Sequence, residues 1–151
     1  MQVEAADKGN TRSWLEIVPE IEPLFGPMPA FETTLVRKIG RGAAFCVREI
    51  GPGGELVVLG GMLLGGRHPV GWIRWLAVRA SARGRGIGRL LVQTALERFG
   101  QSEAVLLDTF REDIEAGRPA RRLYESLGFE PGELLIVDGQ PRQRYALLVA
   151  P

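Results

Sequence analysis

The run Arg-Gly-Arg-Gly-Ile-Gly at residues 83–88 combines residue types and spacing that indicate chemistry. It follows an apolar segment, Trp72 to Val78, and opens an amphipathic one. Glycine permits positive φ and close approach of the backbone to a ligand, and the first amides of a helix have no intrahelical acceptor. A strand, a glycine turn and a helix start in this order predict an anion site. A phosphorylated ligand is the first candidate.

Basic side chains are concentrated around this turn. Arg79, Arg83, Arg85 and Arg89 lie within or beside it. The planar guanidinium group donates hydrogen bonds in a fork that suits phosphate oxygens. For Arg79 alone we favour an ordinary structural role, because it precedes the glycines.

Two common phosphate motifs do not fit the turn. A dinucleotide fingerprint that begins at Gly84 and Gly86 would require a third glycine where the chain has Arg89, whose large side chain would spoil close helix–strand packing. A nucleoside-triphosphate loop requires Gly-Lys followed by Ser or Thr, which is missing here. The ligand is therefore expected to be another kind of phosphate ester.

Composition excludes several classes of protein. With 151 residues, 45% of them hydrophobic, the chain is long enough for one domain with its own core. A net charge of +1 argues against bulk nucleic-acid binding, and no apolar run approaches a membrane span. The polar residues 1–12 are expected to be a flexible N-terminus without secretory features, and the unpaired Cys46 favours a cytoplasmic location.

The hydrophobic pattern predicts a mixed α/β domain over residues 13–151, in the order helices, hairpin, strand–helix–strand–helix, hairpin. Ser13 and Glu16 have the spacing of a capping box, so a helix is expected from Trp14, in two short pieces because of Pro19 and Pro23. The other predicted helices are Phe31–Ile39, Ile87–Phe99 and Pro119–Leu127, and the predicted strands are Ala43–Ile50, Leu56–Leu64, Trp72–Val78, Ala104–Thr109, Leu134–Val137 and Arg144–Val149.

Two motifs together resemble the GNAT family of N-acetyltransferases. The first is Leu76-Ala77-Val78, followed five residues later by the glycine run at residues 83–88. The second, residues 120–129, is similar to a later helix of that family with the pattern Ala-x-x-Leu-Tyr-x-x-x-Gly-Phe. The resemblance covers roughly residues 13–149 and implies a central, mostly antiparallel sheet with flanking helices.

The resemblance also implies that acetyl-CoA is the cofactor. The backbone of Leu76, Ala77 and Val78 would pair with the pantetheine arm, as an added strand pairs with a sheet edge. The amides of residues 83–88 would hold the pyrophosphate, with charge-assisted contacts from Arg83, Arg85 or Arg89. The implied cofactor-binding residues are Leu76, Ala77, Val78, Arg83, Gly84, Arg85, Gly86, Ile87, Gly88 and Arg89.

Tyr124 occupies the motif position that implies an acid for the departing thiolate. Many relatives carry a glutamate on the strand before the glycine turn, whereas residues 71–76 contain Arg74 and no carboxylate. Asp108, at the end of the next strand, is the candidate base. Glu112, Asp113 or an ordered water are the alternatives.

The acceptor pocket is expected against the first helices, where Trp14, Phe25, Met28 and Phe31 would cluster with Trp72 and Trp75. Candidate substrate contacts are Trp72, Arg74 and Phe31, with Arg74 suited to an acceptor carboxylate. Gly117 stands where relatives often place an asparagine that binds pantetheine. His68 is expected at the surface, and one Cys and one His give no metal site.

These features predict an enzyme that transfers acetyl from acetyl-CoA directly to the primary amine of a small molecule or peptide. The alternative is a domain of the same fold that binds acyl-CoA without turnover, as a sensor or regulator. Neither nucleic acid nor a membrane is expected as a partner. The sequence leaves the oligomeric state open, a homodimer included.

Overall fold

The computed structural model describes residues 1–149, which form one seven-stranded mixed sheet in the order β1-β2-β3-β4-β5-β7-β6, with five α-helices. The strands are β1 (Glu4–Ala5), β2 (Ala44–Ile50), β3 (Leu56–Arg67), β4 (Val70–Val78), β5 (Ala104–Thr109), β6 (Glu130–Val137) and β7 (Gln140–Leu148). The helices are α1 (Thr11–Leu15), α2 (Val18–Phe25), α3 (Phe31–Gly40), α4 (Ile87–Arg98) and α5 (Arg118–Ser126). Strands β4 and β5 are parallel, whereas the pairs β1–β2, β2–β3, β5–β7 and β6–β7 are antiparallel. The predicted fold class is confirmed.

The chain divides into two compact units. One consists of Met1–Leu64 and Trp75–Ala95, and the other of Gly65–Arg74 and the chain from Leu96 onward. Strand β4 and helix α4 contribute to both units.

In the first unit, helices pack on both faces of strand β3 because two adjacent glycines permit close approach. A Cβ on Gly61 would lie 2.5 Å from the ring of Trp14, which is fully buried in α1. A Cβ on Gly60 would lie 2.9 Å from the side chain of Ile87 at the start of α4. Neighbouring strand residues point to opposite faces, so α1 and α4 cover opposite sides of β3.

In the second unit, strand β5 pairs with β4 through Val70–Ala104 to Ile73–Leu107 and with β7 through Ala104–Leu148 to Thr109–Gln143. Strands β6 and β7 form a hairpin through Asp138 and Gly139, whose φ angles of 49° and 76° are those of a type I′ turn. Helix α5 has a proline in its first turn, and Gly128, with φ of 98°, follows its end.

Several predicted boundaries differ from the structure. Helix α1 begins at Thr11 rather than Trp14, because the Ser13 hydroxyl accepts a hydrogen bond from the Val58 amide at 2.8 Å instead of capping a helix. The segment expected to be a flexible N-terminus contains β1, paired with β2, and a 3-10 turn at Lys8–Asn10. Strand β3 continues to Arg67, three residues past its predicted end at Leu64.

The closing hairpin also differs from expectation, because β6 begins at Glu130 and β7 at Gln140. Residues 150 and 151 of the predicted domain lie outside the described residues. Within residues 1–149, the helices are too short or too polar to cross a membrane.

Candidate active site

The glycine turn forms an open backbone cradle at the start of helix α4. Strand β4 ends at Val78, a 3-10 turn follows at Ala80–Ala82, and α4 begins at Ile87. Gly84 and Gly86 have φ of 80° and 81°, a backbone conformation that residues with a Cβ atom rarely adopt. A Cβ added to either glycine would meet no atom within 4 Å. Glycine is therefore required at these positions by the positive φ and not by close packing, and the space beside the turn is open.

The first turn of α4 supplies donors for an anion. The Leu90 amide donates to the Gly86 carbonyl at 3.0 Å, which is the first bond of the helix. The amides of Ile87 and Gly88 consequently have no acceptor one turn earlier within the helix. They lie at the positive end of a helix of 12 residues. Amide donors in this position are what the predicted anion site requires.

The arginines around the turn have different roles. Arg85 forms an ion pair with Glu49 at 3.1 Å in which both side chains are about half exposed. The exposed Arg83 side chain makes a long bond of 3.4 Å to the Val78 carbonyl. Exposed guanidinium groups of this kind can turn toward a phosphate at little cost.

Arg79 instead anchors the turn to the rest of its unit. Its guanidinium donates to the Val58 carbonyl at 2.8 Å, to the Ser13 carbonyl at 2.9 Å and to Glu16 at 3.0 Å. The next amide, that of Ala80, donates to the Glu20 carboxylate at 2.9 Å. Helices α1 and α2 therefore fix the start of the glycine turn, which agrees with the structural role expected for Arg79.

The end of strand β4 holds the segment expected to pair with pantetheine. Ala77 is buried, whereas Leu76 and Val78 are half-buried. The Arg79 amide donates to the Leu59 carbonyl at 2.6 Å, which continues the contact with β3 past the end of the strand. A strand segment held in this way has a fixed backbone to present to an extended ligand.

Tyr124 lies on α5 in the second unit, and its ring is buried. It packs edge-on against Phe129 and Tyr145, with ring centres 6.0 and 6.3 Å apart. Burial raises the pKa of Tyr124 to about 12. The phenol therefore stays protonated at neutral pH, as a hydrogen-bond donor or acid must.

Asp108 lies at the end of β5 and is held by Arg144 on the neighbouring strand β7. Arg144 donates to both carboxylate oxygens, at 2.8 and 3.1 Å, and the Asp108 side chain is 19% exposed. The hydrogen bond to Asp108 raises the pKa of Arg144. The alternative bases Glu112 and Asp113 are exposed loop residues.

The aromatic residues expected near an acceptor separate into two groups. In the first unit, the Trp75 ring contacts Phe31, Trp14 and Phe25, with centres 4.7, 5.8 and 6.5 Å apart. The buried indole N–H groups of Trp14 and Trp75 have no hydrogen-bond partner among the described residues. In the second unit, Trp72 contacts the guanidinium groups of Arg74 and Arg144.

The structure explains why residue 117 is glycine. A Cβ there would lie 2.4 Å from the side chain of Phe110, so this packing excludes an asparagine. His68 is exposed, as expected.

The sequence did not predict three residues that contact the candidate site residues or the glycine turn. Arg144 and Glu20 act through contacts 36 and 60 residues away in the chain. Tyr145 is fully buried behind Tyr124, and its hydroxyl donates to Glu125 at 3.2 Å. No pattern in the sequence around Glu20 indicates its contact with the Ala80 amide. The alternation of arginine and tyrosine in β7 could have indicated that this strand has one polar and one buried face.

The described residues form an α/β fold with an open glycine cradle before helix α4. A family model described as an acetyltransferase (GNAT) domain matches residues 41–131, which is more than half of the chain. The chain belongs to the GNAT acetyltransferase family, and acetyl-CoA is the acetyl donor of this family.

Solved structures agree with this fold at low sequence identity. The NatC complex bound to Gag peptide and CoA matches with 18% identity and a TM-score of 0.78, covering 99% of this chain and 100% of that chain. The ribosomal-protein-S18-alanine N-acetyltransferase of Escherichia coli matches with 17% identity, a TM-score of 0.72 and coverage of 99% and 94%. An agmatine N-acetyltransferase mutant matches with 17% identity, a TM-score of 0.72 and coverage of 97% and 98%. No curated protein sequence matches.

Proposed function

We propose that this protein transfers acetyl from acetyl-CoA directly to the primary amine of a small molecule or peptide. The observation that carries the proposal is the open cradle at Gly84 and Gly86 before helix α4. Solved structures of this fold include enzymes named for peptide or protein acceptors and one named for agmatine. Both acceptor classes therefore belong to the proposal.

The cofactor would be held by backbone groups of the first unit. The strand segment Leu76–Val78 would pair with the pantetheine arm, and the amides of residues 83–88 would bind the diphosphate. Arg83, Arg85 and Arg89 would contribute charge, and Arg85 would exchange its ion pair with Glu49 for a phosphate oxygen. Bound acetyl-CoA supplies an acetyl group activated as a thioester.

Tyr124 is the proposed acid. Its pKa of about 12 keeps the hydroxyl protonated, so that it can donate to a sulfur on which negative charge develops. Packing of its ring against Phe129 and Tyr145 fixes the direction of the hydroxyl. This role requires the hydroxyl, whereas the packing role would be served equally by phenylalanine.

Asp108 is the proposed base. Both of its oxygens accept a hydrogen bond from Arg144, and each oxygen has a second lone pair with which it could accept a proton from an incoming amine. The exposed Glu112, the exposed Asp113 or an ordered water are the alternative routes for the proton.

A binding domain without turnover is the second candidate function. It is favoured by strand β4, which contains Arg74 and no carboxylate over Val70–Val78, and by the ion pair that engages Asp108. Such a domain would keep the cradle and dispense with proton transfer.

The cytoplasmic location is part of the proposal. Cys46 is fully buried in the first unit, and burial raises the pKa of its thiol to about 11. The thiol is therefore protonated and unreactive, which is compatible with a reducing compartment.

The test is incubation of the protein with acetyl-CoA and a panel of amines, followed by measurement of free thiol. The panel contains free amino acids, polyamines and short peptides, and calorimetry measures CoA binding separately. Acceptor-dependent thiol release supports the enzyme. CoA binding without release on any acceptor supports the binding domain, and absence of CoA binding overturns both functions.

A further inference from the structure

Four residues of the second unit form a cluster on neighbouring strands, which we name the Trp72 cluster: Trp72, Arg74, Asp108 and Arg144. The guanidinium carbon of Arg74 lies 4.2 Å from the centre of the Trp72 ring, and that of Arg144 lies 4.7 Å from it. Trp72 is paired with Leu106 on β5, which is paired with Ala146 on β7, and Asp108 is paired with Arg144. The sheet register therefore holds the cluster together.

The charges of the Trp72 cluster do not balance. Arg144 is neutralised by Asp108 at 2.8 Å and lies 3.5 Å from the exposed Glu133. No carboxylate among the described residues lies within ion-pair distance of Arg74. Partial burial and the neighbouring positive charge of Arg144 lower the pKa of Arg74, although Asp108 opposes this. The cluster therefore has one guanidinium group more than it has carboxylates.

The Arg74 side chain also stacks on an aromatic ring. Stacking on Trp72 restricts its long side chain, and a restricted guanidinium loses less entropy when it binds a carboxylate. Arg74 is exposed, so a ligand can reach it. It lies two residues before Leu76, where the strand segment proposed to pair with pantetheine begins.

We propose that Arg74, stacked on Trp72, binds a carboxylate of the acceptor, so that the acceptor is an acidic amine: an amino acid or a peptide with carboxylates close to its free amine. This inference rests on the proposed function and names its substrate class. Asp108 and Glu133 engage Arg144 and so leave Arg74 as the recognition group. A bidentate pair with a planar guanidinium favours a carboxylate over neutral or cationic side chains.

The experiment compares two peptides with the same N-terminal residue, one continued by glutamates and the other by glutamines, at saturating acetyl-CoA. We expect kcat/KM to be about tenfold higher for the acidic peptide at low salt, since a tenfold difference corresponds to one partly exposed charged pair. Arg74→Gln should abolish the preference, and Arg74→Lys should retain part of it. Arg41→Gln, at an exposed arginine after α3, should retain all of it. Equal rates for the two peptides, or a preference that survives in Arg74→Gln, would overturn the inference.

Equilibrium binding separates this inference from the proposed function. The acidic peptide, labelled at its C-terminal end, is titrated with wild-type protein and with Arg74→Gln by fluorescence anisotropy, without acetyl-CoA. Arg74-dependent binding supports the inference even if no acceptor is turned over, whereas Arg74-independent binding contradicts it even in an active enzyme. Acetate should displace the peptide from the wild-type protein, and failure of acetate to compete at matched ionic strength would contradict a carboxylate site.

Discussion

Arg79 donates two hydrogen bonds to Ser13, one to its carbonyl oxygen at 2.9 Å and one to its hydroxyl at 3.2 Å. Ser13 lies in helix α1, and Arg79 is the residue that follows strand β4. The same Ser13 hydroxyl accepts a hydrogen bond from the Val58 amide of β3 at 2.8 Å. The Ser13 side chain therefore connects helix α1, strand β3 and the start of the glycine turn.

Replacement of Arg79 by methionine should disturb both folding and cofactor binding. The Arg79 side chain is 14% exposed, and its loss removes its hydrogen bonds to the Val58 and Ser13 carbonyl oxygens and its ion pair with Glu16, so we expect a cost of about 2 to 4 kcal/mol in the free energy of unfolding. The KM for acetyl-CoA should rise about threefold or more because the turn loses its anchor. Urea denaturation and steady-state kinetics measure the two effects. Arg12→Met, at an exposed arginine of α1, is the control, and an equal effect there would refute the anchoring role.

Alanine at Gly86 should weaken CoA binding far more than it weakens folding. The left-handed φ of 81° costs alanine about 1 kcal/mol, but its methyl group meets no protein atom within 4 Å. The methyl group would occupy the cradle, so we expect the Kd for CoA, measured by calorimetry, to rise more than about tenfold. Gly40→Ala, at the last residue of α3 with equally open space, should leave the Kd unchanged. An unchanged Kd in Gly86→Ala would remove the turn from the cofactor site.

Tyr124→Phe should reduce turnover while preserving the fold. Phenylalanine keeps the ring contacts with Phe129 and Tyr145 and removes only the hydroxyl. We expect kcat to fall about 10- to 100-fold, with the KM for acetyl-CoA changed less than about threefold. Because the pKa of Tyr124 is about 12, its ionisation should not cause a loss of rate below about pH 10 in the wild type. An unchanged kcat would exclude Tyr124 from proton transfer.

Asp108→Asn tests the proposed base. If Asp108 takes the proton from the amine, kcat should fall more than about tenfold while the Kd for CoA changes less than about threefold. Loss of the charged pair with Arg144 should also lower the free energy of unfolding by about 1 to 3 kcal/mol. Glu133→Gln is the matched control, because Glu133 is 69% exposed and lies 3.5 Å from Arg144. A destabilised variant that retains the wild-type kcat would reduce Asp108 to a structural partner of Arg144.

The residue types of the glycine turn made its backbone conformation predictable. Positive φ at Gly84 and Gly86 and a helix start at Ile87 follow from residue type and order alone. The strand β5, Ala104–Thr109, was predicted with its observed bounds because it is short, apolar and ended by polar residues. The start of helix α1 was predicted wrongly because the Ser13 hydroxyl accepts a hydrogen bond from the Val58 amide, 45 residues away in the chain.

The candidate site was less predictable than the cradle. Tyr124 and the glycine run were found through motifs, whereas the partners that orient them come from other strands and helices. Arg144 reaches Asp108 because β5 and β7 pair in one register, and a shift of one residue would place it on the other face. Such contacts depend on the pairing of the whole sheet, which no single segment encodes.

Two buried tyrosines should make the fold sensitive to alkali. Burial raises the pKa of both Tyr124 and Tyr145 to about 12 from an ordinary value of 10.0. Between these values the unfolded chain loses the phenolic protons while the folded protein retains them, so unfolding is favoured as pH rises. The stability from these groups is fully present below about pH 10 and is lost up to about pH 12, at about 1.4 kcal/mol for each unit of pKa elevation.

The measurement is the urea midpoint of unfolding at a series of pH values from neutral to about pH 12. We expect the midpoint of the wild type to fall steeply above about pH 10 and that of the double variant Tyr124→Phe/Tyr145→Phe to fall less. The double variant also loses the hydrogen bond from Tyr145 to Glu125. Its midpoint at each pH is therefore compared with its own midpoint at neutral pH. Parallel curves for wild type and double variant would mean that both phenols ionise in the folded protein as readily as in the unfolded chain.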